Sequence, residues 1–120
     1  MQAVTLDQTP AELAAAWRRA AAAVIDAAIP KDTSSPESWP ASATLLPHAR
    51  AALADDSRGM ARIANYLGAS SSYAAARDLQ QSVTEARVRV LGTEHPDTLT
   101  ARGHLARWTG EAGDAAAARD

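Results

Sequence analysis

The stretch GTEHPDTLTARGH, residues 92–104, concentrates side chains that can do chemistry: Glu94, His95, Asp97 and His104. Imidazoles and carboxylates can hold a metal ion or exchange protons with a substrate. A helical metal-binding or catalytic centre on His95, Asp97 and His104 is therefore one reading of the chain. The spacing weighs against it. Such ligands converge when they share a helix face at i, i+3 or i+4, as in His-Glu-x-x-His. Glu94 and His95 fall in a linker, and His104 lies two helical turns beyond Asp97, roughly 10 Å along the axis. Every residue of the stretch also has a structural use. Gly92 stops one helix, Pro96 suits the first turn of the next, and Asp97 puts negative charge at its N-terminus. No catalytic, cofactor-binding or metal-binding residue is expected.

Other chemistries find less support. Ser34, Ser35 and Ser70–Ser72 sit in loop-like runs without a Gly-x-Ser-x-Gly elbow, and no His has an obvious orienting carboxylate. His48 follows Pro47 in a helical pattern and reads as partly exposed or capping. The absence of Cys removes thiolate chemistry and disulfides. Twelve basic and 14 acidic side chains are spread without a Lys/Arg block, so no nucleic-acid partner is expected. The most apolar run, Ala20–Ile29, is too short for a membrane span and is interrupted by Asp26. With no secretory pattern at the N-terminus, a cytoplasmic protein is expected.

These residues need helices to position them. About a quarter of the chain is Ala, β-branched residues are sparse and Phe is absent, so the expected class is all-α. Thr9-Pro10-Ala11-Glu12 is a capping box that opens a helix over 9–29. Its stripe Leu13, Trp17, Ala20, Val24 and Ala28 is expected to face the core, with Arg18, Arg19 and Asp26 mostly off it. Residues 30–40 form a Pro/Ser-rich connector in which Trp39 anchors the chain to a helix. A second helix, 42–54, carries Leu46, Ala49 and Leu53 on one face, and Pro47 is expected to kink it. A third, 58–69, turns Met60, Ile63, Ala64 and Leu67 inward. A fourth, 73–91, repeats Ala76, Leu79, Val83, Ala86 and Val90. A fifth, 97–112, repeats Ala101, Leu105, Trp108 and Ala112 and is expected to stop at Gly113, with a sixth begun by Asp114–Asp120. Trp17 and Trp108 are both expected in the core.

The chain also repeats itself. Ala-Ala-Arg-Asp recurs at an offset of 42 residues, which pairs Ile63 with Leu105, Ala64 with Ala106, Tyr66 with Trp108 and Gly68 with Gly110. The unit is a helical hairpin that cannot bury its apolar face alone and must stack. With IANYLGASSSYAAARDL and LARWTGEAGDAAAARD as its two copies, the sequence resembles the tetratricopeptide repeat family. Ile63, Ala64, Tyr73 and Ala76 fill the family positions in the first copy; Leu105, Ala106, Gly113 and Ala118 fill them in the second. The 42-residue period and the linker LGTEHPDTLTARGHLA resemble the kinesin-light-chain-type variant. Thr109 and Ala115 stand where an aromatic is usual, and Ser71 where the turn Gly is usual. The N-terminal half, AWRRAAAAVIDAAIP and SWPASATLLPHARAAL, resembles the segment that joins nucleotide-binding region to repeats in bacterial STAND-type, NB-ARC-like regulatory NTPases. No Gly-x4-Gly-Lys-Ser/Thr motif occurs, so no ATPase activity carries over.

The resemblance implies a right-handed helical-hairpin solenoid, with an N-terminal helical segment over 1–57 and repeats over 58–120 (hairpins 58–92 and 93–120). It implies a non-enzymatic protein–protein interaction module, a scaffold or sensor segment of a bacterial regulatory protein, needing no cofactor. Helix A of each hairpin lines the concave face in this class. The candidate partner-binding residues are therefore Arg58, Arg62 and Asn65, and one repeat later Thr100, His104 and Arg107. Such a face suits an extended protein or peptide ligand. The last hairpin lacks a full second helix, so Leu105 and Trp108 are expected to be partly uncovered and to drive self-association through the C-terminal edge.

Overall fold

In the computed structural model, which describes residues 9–119, Thr9 accepts the Glu12 backbone N–H at 3.1 Å and opens α1 (Pro10–Ala28). A turn of 3-10 helix at Pro36–Ser38 leads into α2 (Trp39–Ala52), and α3 (Arg58–Ala69), α4 (Tyr73–Leu91) and α5 (Pro96–Arg119) follow. The fold is all-helical, with no strand among the described residues. α2 begins three residues earlier than its apolar pattern suggests, because Ser35–Ser38 already turn helically. Pro47 lies inside α2 and does not start it.

α3 is the centre of the packing. Ser57 caps it, and Met60, Ile63, Ala64 and Leu67 are buried as their spacing requires. Ala49 and Leu53 from α2 and Ala76, Leu79 and Val83 from α4 close the same core, as does Ile29 just beyond α1. This core runs without a break across residue 57. Val90, the last member of the α4 stripe, is exposed.

The turn between α3 and α4 explains the Ser run. Ser71 adopts φ 72°, the Ser72 N–H donates to Leu67 O at 2.7 Å, and the Ser71 N–H donates to Gly68 O at 3.1 Å. That is a Schellman closure, with Ser where Gly is favoured. It brings Tyr73 back over α3. Trp108 of α5 then stacks on Tyr73, with ring centroids 6.3 Å apart, and lies directly on Gly68. Gly68 fits there because a Cβ would overlap the indole ring.

Three expectations are corrected. α1 does not bury the stripe Leu13, Trp17, Ala20 and Val24; Trp17 and Val24 are each 69% exposed. α1 docks instead through Ala22 and Ile25, with Ile29 buried at its end; it packs mainly against α2, and its C-terminal end is also fixed to α3 through Asp26 and Arg62. Trp108, expected to be partly uncovered, is 3% exposed, while Leu105 is half-buried. α5 does not stop at Gly113 and no sixth helix begins: it is continuous through Gly110 and Gly113 to Arg119, and Asp120 lies outside the described residues. Neither glycine has a positive φ or a close neighbour. The Ala-rich continuation extends a helix more readily than it nucleates a new one.

Two substitutions test this account by denaturant unfolding. Gly68→Ala should gain about 1 kcal/mol of helix propensity but displace Trp108, for a net loss of about 1–2 kcal/mol and a red-shifted Trp emission. Ser71→Gly should stabilise by about 0.5–1 kcal/mol, since it removes the left-handed Cβ penalty against a smaller unfolded-state entropy cost.

Candidate functional site

The linker between α4 and α5 shows what its chemical residues do. Gly92, at φ 92°, ends α4, and the His95 Nδ1 accepts the Asp97 backbone N–H at 3.0 Å. The His95 carbonyl receives the Leu99 N–H, also at 3.0 Å. His95 therefore caps α5, and Asp97 stands in its first turn, opposite the positive end of the helix dipole. Among the described residues, no group of three or more His, Cys, Asp and Glu is placed to share a metal ion.

Arg62 and Asn65 are engaged within the fold. Arg62 Nη2 donates to Asp26 O at 3.1 Å and lies 3.7 Å from the Asp26 carboxylate. Asn65 Nδ2 donates to the Thr33 and Ser34 hydroxyls, each at 3.0 Å, while the buried Thr33 hydroxyl donates to Arg62 O at 2.9 Å. Trp39 Nε1 donates to Thr33 O at 3.1 Å, so Trp39 does tie the connector down. These contacts fasten α1 and residues 30–40 to α3. Arg58, at the start of α3, is exposed.

The other three candidates share α5 and stay open. Thr100, His104 and Arg107 are all exposed. Arg107 spreads over Trp108, its Cζ 4.6 Å from the ring centroid, which fixes a long side chain at little entropic cost. Partial burial and the nearby Arg107 and Arg87 guanidiniums hold His104 below the ordinary imidazole value of 6.5. Arg87, on α4, is not one of the helix-A positions that the 42-residue register singles out. It reaches across from α4 to donate to Asp97 O at 3.1 Å. Among the described residues neither Arg87 nor Arg107 forms an ion pair. The result is a cationic surface where α4 and α5 meet, suited to carboxylates and peptide carbonyls.

α3, the tight turn, α4 and the capped linker together form a helical hairpin with its exit. Residues 59–97 match the family model of the tetratricopeptide repeat. The match supports such a repeat over that segment. It ends at Asp97, so the repeat supplies Arg87 while Thr100, His104 and Arg107 lie on the helix that follows it. No curated protein and no solved structure matches the chain.

The low His104 pKa makes a signed prediction. Below about pH 6.5 the unfolded chain takes a proton that folded His104 resists, so stability falls as pH drops through 6.5 toward the folded value. Above 6.5 this contribution is constant. Unfolding free energies measured between pH 7.5 and 5 should fall more steeply for the wild type than for His104→Gln. Identical slopes would show that folding does not lower the His104 pKa.

Proposed function

We propose that the chain is a non-catalytic protein–protein interaction module that binds an extended acidic peptide across Arg87, Thr100, His104 and Arg107. Tetratricopeptide repeats generally mediate protein–protein interaction, and one is supported here over residues 59–97. The observation that carries the choice of ligand is the two guanidiniums near His104, which form no ion pair among the described residues, with Arg107 held out over Trp108. Arg58 is exposed at the start of α3 and open to a partner, whereas Arg62 and Asn65 act by holding the connector. The resemblance of the linker to kinesin-light-chain-type repeats, and of the N-terminal half to STAND-type NTPases, favours a scaffold or sensor segment of a bacterial regulatory protein. No helix among the described residues is long and apolar enough to cross a membrane.

A single hairpin plus one helix offers little area, so binding should be weak. Titration of fluorescent Asp/Glu-rich peptides of extended sequence should give micromolar dissociation constants that rise with salt. Replacing Arg87 and Arg107 together with Ala should weaken binding at least about tenfold. Failure of every acidic peptide to bind, or equal binding by the double variant, would remove this assignment.

A further inference from the structure

The bulky stripe of α1 faces away from the core. Leu13, Trp17 and Val24 are 43%, 69% and 69% exposed, and the positions around them on that face are Ala16, Ala20, Ala21, Ala27 and Ala28. The charged residues of α1, namely Glu12, Arg18, Arg19 and Asp26, are each turned roughly 110° or more from the centre of the stripe at 100° per residue. A wide helix face without a charge has no electrostatic feature by which to choose an acidic or basic partner.

The spacing is self-complementary. Leu13, Trp17, Ala20 and Val24 are separated by four, three and four residues, a pattern unchanged when the helix is reversed. Two copies of α1 laid antiparallel about a two-fold axis between Arg18 and Arg19 set Leu13 against the other Val24, and Trp17 against the other Ala20. The large Trp17 therefore meets a small Ala at the inner level, and Leu13 meets the branched Val24 at the outer one. Trp17, Ala20, Ala21 and Val24, together with Ile25, already line a shallow apolar notch. The first four occupy i, i+3, i+4 and i+7, the hole that receives a knob in antiparallel helix packing. Reversal brings the other Trp17 to the level of that notch.

We infer that α1 pairs with α1 of a second copy of this chain, antiparallel, with Trp17 as the knob. The face offers on the order of 400–500 Å² per copy, below the ~800 Å² per partner of a standard stable interface. The dimer is accordingly weak, with a dissociation constant in the tens to hundreds of micromolar. It uses neither the cationic surface nor the C-terminal edge, so it stands or falls apart from the peptide-binding proposal.

Sedimentation equilibrium of the full chain, from micromolar to near-millimolar concentration, tests it. The wild type should pass from monomer to dimer. Val24→Glu should weaken the dimer at least about 100-fold with unchanged helical circular dichroism, since Val24 is largely exposed in the monomer. Trp17→Gln should act in the same direction. In the antiparallel register, Leu13→Lys added to Val24→Glu places opposite charges together twice, and should recover at least about tenfold of the loss. A wild type that stays monomeric, or variants that dimerise as well as it does, would overturn the pairing. A double variant no tighter than Val24→Glu would overturn the antiparallel register.

Discussion

The Trp108 ring resting on Gly68 and against Tyr73 holds this structure in register. Among the described residues it is the one large side chain of α5 in the common core, and it sits where α3 turns into α4. Apart from the half-buried Leu105, the buried contacts between α4 and α5 include small and polar groups. Ala101 is fully buried, the Gln80 amide donates to Ala101 O at 3.3 Å, and the Thr98 hydroxyl donates to Arg87 O at 3.4 Å. Hydrogen bonds of this kind add only about 0.5–1.5 kcal/mol each, whereas removing a buried Trp costs about 3–5 kcal/mol. The placement of His104 and Arg107 beside Arg87 thus depends on an aromatic contact made at the far side of the hairpin.

A second joint works by a different principle. α1 buries no residue within its own helix, so area alone does not orient it. Arg62 ties its end to α3 through Asp26, and Thr33 ties the connector that follows to two helices: its hydroxyl joins Arg62 O and the Asn65 amide of α3, and its carbonyl accepts from Trp39 of α2. Directional bonds inside a low-dielectric site define one geometry more sharply than apolar contact does. They also occupy Arg62 and Asn65. An arginine donating to Asp26 O and lying beside the Asp26 carboxylate has lost the freedom that ligand recognition requires.

Much of the fold was legible from periodicity and caps. The ranges of α3 and α4 follow from Ser57, the Ser70–Ser72 turn, Gly92 and the buried stripe between them. The 42-residue register pointed to Tyr66 and Trp108 as equivalent positions, but equivalence in sequence did not give equivalent surroundings. Gly68 is covered by the Trp108 ring, while Gly110 has open space around it. Periodicity was also ambiguous in α1. An Ala-rich helix presents a small apolar residue on almost every side, so the bulkiest stripe need not be the buried one. What decides is where the helix end is tied, and that information lies in Asp26, Ile29 and Thr33.

The candidate surface illustrates the same limit. Register alone assigned Arg62 and His104 to equivalent positions, yet Arg62 faces a connector that has no counterpart beside α5. Residues 30–40, which join α1 to α2, fold back over α3, whereas among the described residues no such connector lies over α5, whose own short linker is used up in the His95 cap. His104 and Arg107 therefore stay open while Arg62 and Asn65 are closed over. What folds over a helix from elsewhere in the chain, more than the identity of the residue, determines which repeat-equivalent side chains remain open.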